Sequence, residues 1–543
     1  RKYSLIRRTL DTPALTIHRL VQTVLKDRMD PETQRQWAEK TVKAVNHAFP
    51  NVAFDNWAQC QRYLPHAQVC AGLIDQWKMT FSEARRLLNV TGQYLYERAN
   101  YAEAETLLHR ALEVSDQTLE SNHPDIADTL NNLVALYRLQ GKYTQALPFC
   151  QRALEIRQRL GGNNHPNIAS SFNNLARLHH HLGQYPRAKE LYQQALSIRK
   201  KALGEKYADV AESLNDLAAL YGVLKKHNEQ EILHLRALAI RKQVLGDNHP
   251  NVALSLNNLA VVYSEQGKYP QAEQFLQQAL AIYKQALGDN HPDVAESLNN
   301  LAGLYESLSK YPQAEDYYLQ ALAIRKQALG DSHPDVARYL NNLAGLYQRQ
   351  ANYAQAEPLC LQALAICKQA LGEKHHNVAI YLNNLAGLYQ HQANYAQAEP
   401  LYQQALAICK QTLGDNHPDV ANSLNNLANL YESLSKYPQA EDYYLQALAI
   451  RKQALGDSHP DVARSLNNLA NLYQRQADYT QAESLYQQAL AICKQALGNN
   501  HPDVAKYLSN LASTIPHKSL GIHPARPRKV PAHSICCTLS MSW

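Results

Sequence analysis

The apolar positions of this chain fall three and four residues apart over most of its length, the spacing of one buried face on an α-helix. Between His291 and Gly330, Val294, Leu298, Leu301, Ala302, Tyr305 and Leu308 follow it, and Tyr311, Ala314, Tyr318, Ala321 and Leu322 take it up again. The interruption, Ser309-Lys310-Tyr311, corresponds to Gly141, Gly183 and Gly267 in other copies, as a tight helix–helix turn prefers. Gly330 suits a left-handed C-terminal cap, Asp331-Ser332-His333 a short loop, and Pro334 the first turn of the next helix. The predicted unit is a pair of antiparallel helices. Alanine at 302, 314 and 321 lets the axes approach closely, while Tyr305 and Tyr318 fill the wider gaps.

This unit recurs. His-Pro stands at 123, 165, 249, 291, 333, 417, 459 and 501, and Tyr207-Ala208 and His375-His376 fill the two gaps, so the period is 42 residues. Such a period predicts a stacked array, not a set of globular domains. Ten whole repeats begin near 85, 127, 169, 211, 253, 295, 337, 379, 421 and 463, and an eleventh contributes its first helix, ending near 513. Residues 306–338 and 432–464 are identical, three repeats apart, which fits copying of a three-repeat block. The fourth repeat departs from the pattern, with His227 and His234 for tyrosines and Gln230 for a small alanine. Glutamine at a helix crossing is expected to cost about 1–3 kcal/mol by overpacking and to make this the softest joint of the array.

Leu298, Leu301, Ala302, Tyr305, Tyr311, Ala314, Tyr318 and Ala321 match the tetratricopeptide consensus. The 42-residue period, the run LNNLAxLY and the linker LGDxHP are similar to the kinesin light chain variety of that repeat. The resemblance covers residues 85–513. It implies an all-α fold, a right-handed superhelical solenoid of antiparallel helix pairs whose first helices line a concave groove. It also implies a non-enzymatic scaffold that binds peptides or partner proteins there, acidic peptides in the kinesin light chain case. A motor subunit would carry a heptad coiled coil before the repeats, and residues 1–84 show none.

Residues 1–84 do not repeat, are read as mostly helical, and hold three of the four tryptophans. Their start resembles the end of the winged-helix region of NB-ARC-type STAND ATPases, where a short hairpin leads into a helix matched here by His18-Arg19-Leu20-Val21-Gln22. That resemblance implies a second function: the ligand-sensing, regulatory C-terminal arm of a signalling ATPase whose catalytic domain is absent from this chain. No phosphate-binding G-x-x-x-x-G-K-[ST] occurs, and an initial Arg in place of Met fits a fragment. Residues 514–543 are basic, contain several prolines and lose the helical period, so a disordered tail is expected.

The net charge of +6 gathers at the two ends, residues 1–84 carrying 12 Lys/Arg against 8 Asp/Glu, which leaves the array without the basic stripe a nucleic acid requires. No apolar run is long enough to span a membrane and the start lacks a signal-peptide core, so a cytoplasmic protein is expected. The nine cysteines do not form a disulfide framework. Cys367, Cys409 and Cys493 share a repeat position with Arg325 and Arg451, which predicts a half-exposed helix face.

No nucleophile–base or paired-carboxylate arrangement stands out from the repeats, so no catalytic residue and no cofactor are expected. The linker histidines lie one repeat apart, too far to share a metal ion, and His179-His180-His181 point in different directions; no metal site is expected. The Asn-Asn pairs carry the functional expectation. By the resemblance, the first member of each (Asn131, Asn173, Asn257, Asn299, Asn341, Asn383, Asn425, Asn467) faces the groove and reads a peptide backbone, while the second serves joints between repeats. Arg338 and Arg349 flank Asn341, and Arg464 and Arg475 flank Asn467, with Glu296, Glu306 and Glu432 in intervening copies. Arginine grips carboxylates through paired hydrogen bonds, so these four are the candidate readers of acidic side chains.

Overall fold

The computed structural model describes residues 6–8, 15–17, 27–161, 166–499 and 501–520. Two compact units divide between Leu136 and Tyr137.

In the first unit, strands β1 (Ile6–Arg8) and β2 (Leu15–Ile17) pair antiparallel, with Ile6 opposite Ile17. This hairpin is the departure from all-helical structure among the described residues; His18–Gln22 lie outside them. Helix α1 (Pro31–Ala48) opens at Asp30, whose carboxylate accepts the Thr33 N–H at 2.8 Å. Helix α2 (Trp57–Trp77) follows, and α3 (Ser82–Glu97) with α4 (Tyr101–Thr118) form the first repeat. Tyr94 of α3 joins the two parts: Phe49 and Trp57 each meet its ring edge-on at 6.4 Å, and its hydroxyl donates to Gln61 at 2.7 Å. The non-repeat helices thus cover the apolar face that a terminal repeat otherwise leaves open.

Helix α5 (Pro124–Leu139) crosses the border between the units. The second unit continues with α6 (Tyr143–Gly161), α7 (Pro166–His181), α8 (Tyr185–Leu203), α9 (Ala208–Val223), α10 (His227–Leu245), α11 (Pro250–Glu265) and α12 (Tyr269–Leu287). Then come α13 (Pro292–Ser307), α14 (Tyr311–Leu329), α15 (Pro334–Arg349), α16 (Tyr353–Leu371), α17 (His376–His391) and α18 (Tyr395–Leu413). The last are α19 (Pro418–Ser433), α20 (Tyr437–Leu455), α21 (Pro460–Arg475), α22 (Tyr479–Leu497) and α23 (Pro502–Leu520). The final helix therefore runs seven residues beyond the expected end at 513.

Local chemistry fixes each unit. At the turn inside a repeat, Ser309 takes φ 57°, its N–H reaches the Glu306 carbonyl and the Lys310 N–H reaches the Tyr305 carbonyl at 2.8 Å. This is the reciprocal C-terminal cap that satisfies otherwise orphaned carbonyls. Gly330, expected in that left-handed conformation, instead has φ 88° and ψ 156°, an extended region open essentially to glycine alone. The linker histidine caps the next helix: His291 Nδ1 accepts the Asp293 N–H at 3.1 Å, and Pro292 occupies the first turn.

At the position shared by cysteine and arginine, Arg325 is half-buried, but the other named copies are buried and not half-exposed. Cys367, Cys409, Cys493 and Arg451 all lie inside, Arg451 with 2% exposure. In most copies the residue is matched to its neighbour fourteen positions on. Arg157, Arg199 and Arg241 donate to Ser171, Ser213 and Ser255 at 2.9, 3.0 and 2.8 Å, and Arg451 donates to Ser465 at 2.5 Å. Where that neighbour is the larger Tyr381 or Tyr507, the partner shrinks to Cys367 or Cys493. In these copies large meets small, which keeps the interior filled; elsewhere Arg325 donates to the Tyr339 hydroxyl at 2.9 Å and the Ser423 hydroxyl donates to Cys409 Sγ at 3.7 Å.

The altered fourth repeat is likewise compensated. A Cβ added at Gly222 would stand 2.6 Å from Gln230 Nε2, so the glycine makes room for the glutamine that was expected to overpack. His234 Nδ1 meets the Asn215 amide at 2.9 Å in place of a tyrosine contact. A buried core runs from Leu238 to Leu472, whereas Val210, Ala211, Leu214, Ala237 and Ile240 form a cluster of their own at the fourth repeat.

Successive coils of the second unit touch. His375 Nε2 reaches the Leu139 carbonyl at 3.2 Å and His459 Nε2 reaches that of Val223 at 3.1 Å, each six repeats further along. About six repeats therefore complete one coil. Gly222→Ala is expected to lower stability by about 1–3 kcal/mol through overpacking. Adding Gln230→Ala should restore most of that loss, as a double-mutant cycle by urea denaturation will read.

Candidate functional site

Each Asn-Asn pair sits midway along the first helix of its repeat. The second member behaves as expected of a joint: the Asn342, Asn384, Asn468 and Asn510 amides donate to Asn299, Asn341, Asn425 and Asn467 of the preceding repeat at 2.8–2.9 Å. In the first unit, Asn132 donates to Asn89 at 3.0 Å.

The first members are joint residues too. Asn173, Asn257, Asn299, Asn341, Asn425 and Asn467 are buried, while Asn131 and Asn383 are half-buried. The Asn257 amide donates to Ser297 at 2.9 Å, Asn383 to Ser423 at 3.1 Å, and Asn173 to Asp216 at 3.0 Å, in each case on the following repeat. Asn173, Asn257 and Asn383 thus bond forward through the amide nitrogen, whereas Asn299, Asn341, Asn425 and Asn467 accept from the next repeat's second asparagine, so each of these serves a joint. The reason is close packing between neighbouring first helices, which leaves little of that face in water. The amide oxygens of Asn258, Asn300 and Asn342 among the second members, and of Asn173 and Asn383 among the first, are shielded from water and accept no hydrogen bond from the protein. Those at 258, 300 and 342 recur one repeat apart, and an unmet buried acceptor is costly.

The four arginines are paired with acids. Arg338 holds Glu296 through two hydrogen bonds, at 2.7 and 3.2 Å, and its guanidinium lies over the Tyr339 ring. Burial would raise the Glu296 carboxyl, but Arg338, Arg325 and the Tyr339 hydroxyl outweigh it and hold the group at about 2. Arg349 meets Glu306 and Arg475 meets Glu432, both at 2.6 Å, and the two acids also accept from Tyr318 and Tyr444. Burial raises both of these carboxyls despite the arginines. Arg464 pairs within its own helix with Asp461 at 3.2 Å. Arg349 and Arg475 keep 51% and 58% of their side chains exposed. Arg338 and Arg464 are half-buried. The expectation of free basic patches overlooked a legible signal: the acids lie 42 or 43 residues before Arg338, Arg349 and Arg475, on the same face one repeat earlier.

His179, His180 and His181 do diverge, His179 toward Gln184 and His181 flat against Tyr143 at 4.7 Å. Linker histidines, expected to be one repeat from any fellow, are in fact met by others across the coil: His376 lies among His375, His181 and His417. Among the described residues no group of three or more His, Cys, Asp or Glu is arranged to hold a metal ion, and no helix is long and apolar enough to cross a membrane.

The family model described as a tetratricopeptide repeat matches residues 83–147, 125–201, 209–285, 272–327, 335–411 and 379–453, and another so described matches 462–503. A nucleotide-binding leucine-rich repeat (NLR)-like protein of Hyaloscypha variabilis is 40% identical over 130 residues, 24% of this chain, and the chain spans 13% of that relative's length. Among solved structures, a putative kinesin light chain of Podosopora anserina with nearly identical TPR-like repeats is 29% identical. It covers 38% of this chain and 97% of its own, with a TM-score of 0.32. BtubC from P. vanneervenii is 25% identical over 47% of this chain and 92% of its own, with a TM-score of 0.34.

The ladder predicts a stability effect where peptide contact alone would give none. Asn299→Ala strands the buried Asn342 amide donor and should cost about 1–3 kcal/mol, measured as a lower urea midpoint in the absence of any ligand.

Proposed function

The chain belongs to the tetratricopeptide-repeat family, and from that membership we propose a protein-interaction scaffold that takes an extended peptide along the first helices of its repeats. The observation that carries the proposal is the row of buried, unmet amide oxygens at Asn258, Asn300 and Asn342. Extended main chain offers N–H donors, and a row of acceptors supported on rigid helices recognises it independently of sequence. This reading spreads the backbone contact over both members of the pair, since Asn173 and Asn383 also keep an unmet amide oxygen.

Preference for acidic peptides rests on Arg349 and Arg475, the two of the four arginines with more than half of the side chain in water. Each holds a buried glutamate through Nε, so its terminal N–H groups are left to meet a ligand carboxylate. The kinesin light chain-like repeat favours the same preference. The fold typically serves as a non-catalytic scaffold.

A second reading has its own support. The short hairpin β1–β2 stands where the winged-helix resemblance implies one, and the similarity to an NLR-like protein points the same way. In that setting the repeats are the sensing arm of a nucleotide-binding signalling protein, and the peptide is the signal.

The test is a peptide array probed with the full chain. Acidic peptides should be captured, and Arg349→Gln with Arg475→Gln should weaken that capture by at least about tenfold, equivalent to ~1.4 kcal/mol. Capture of neutral peptides should persist. Binding indifferent to both changes would remove the arginines from the site, and no captured peptide of any charge would remove the groove.

A further inference from the structure

The linker histidine is copied through the array, yet His375, His417 and His459 are buried while His249 and His291 are only half-buried. The three buried copies are those lying over an earlier coil. His375 Nδ1 accepts the Asn377 N–H at 3.1 Å, which leaves the proton on Nε2 to donate to Leu139. His459 is fixed likewise between the Asp461 N–H and the Val223 carbonyl, and His417 bonds the main chain of His181. Leu139, His181 and Val223 are equivalent residues, the last of α5, α7 and α9. Each of the three carbonyls is the negative end of a helix.

The turns beneath are fitted to this contact. A Cβ at Gly141 would stand 2.9 Å from His376 Nδ1 and 3.0 Å from His375 Nε2, and one at Gly183 would stand 3.0 Å from His417 Cδ2. The next turn carries Lys225, whose charge faces His459 and Asp461. Later turns hold Ser309, Ala351, Ala393, Ser435 and Ala477 at similar positive φ. The repeats that carry them have no repeat six places further on. Glycine at 141 and 183 leaves the space that the overlying rings fill, while Lys225 and the later turns show that the turn itself does without it; Gly267 is a glycine with open space above.

We infer that His375, His417 and His459 form a latch that closes successive coils of the superhelix upon one another, and that acid releases it. The latch needs each ring neutral, because Nδ1 must accept. Facing the three rings from below are His180, His181 and Lys225; Arg138 and Arg177 bear on His181, and Tyr143 and Tyr185 on Asp419. Facing them from above are His376, Asp419, Asp461 and Arg464. Burial depresses all three rings; Asp419 and Asp461 partly offset this for His417 and His459, whereas His375, followed by Asn377, is held down to about 4. A depressed histidine leaves the latch at full strength above the ordinary value of roughly 6.5. Below it the open form takes up protons first, and His375 alone weakens closure about tenfold per pH unit down to about 4.

Small-angle scattering of the full chain, with far-UV circular dichroism, tests this without any ligand, so its outcome is separate from that of the peptide reading. Between pH 7.5 and 5 the particle should expand reversibly while helix content holds; unchanged dimensions would overturn acid release. At pH 7.5 Gly141→Ala/Gly183→Ala should be expanded and Gly267→Ala, whose added Cβ meets nothing within 4 Å, should not. Equal dimensions for these two would overturn the coil contact. In His375→Gln/His417→Gln/His459→Gln the pH-driven change should shrink markedly, the remainder belonging to His180, His181 and His376, which stay buried at the same contact. A change as large as in the wild type would remove these histidines from the latch.

Discussion

A pair of antiparallel helices has more apolar surface than its own two members can cover, and everything in this molecule follows from the need to cover the rest with the next pair. Burial supplies the drive but no direction. Direction comes from polar groups set into the same joint. Amide ladders link neighbouring first helices, and tyrosines reach back to glutamates on the preceding second helix, as Tyr305 does to Glu273 at 2.6 Å and Tyr347 to Glu315 at 2.7 Å. These bonds fix the angle at which one repeat follows another, and an angle repeated without error becomes a coil of definite pitch.

Near-identical repeats would fill their interiors identically, so the departures are instructive. An arginine buried against serine, a cysteine against tyrosine, and a glutamine over glycine are three solutions to one volume constraint. Each substitution has its complement on a neighbouring helix, not on its own, which is why a residue such as Gln230 looks disruptive in isolation and is accommodated in place.

The helix pairs, their period and their turns were legible because each is set by residues within a single repeat: apolar spacing, a positive-φ turn, a histidine cap. The joints were legible only in part. Asn341 and Asn342 are adjacent in sequence, and seeing that both are buried required knowing how the neighbouring first helix lies across them. Arg338 read as a free cation because its partner Glu296 belongs to another copy. Contacts between coils were beyond local reasoning, since they join residues 236 positions apart and depend on errors in angle that accumulate over six joints. Their trace in the chain, the close fit of Gly141 and Gly183 to the rings above them, has meaning only once the pitch is known.

That pitch has a consequence for the duplicated block. Residues 306–338 and 432–464 are the same sequence three repeats apart, and three repeats are about half of one coil. The two copies therefore look out in opposite directions across the superhelical axis. Anything that recognises one copy finds the second on the far side of the molecule, so the duplication yields two diametrically opposed platforms instead of one longer surface.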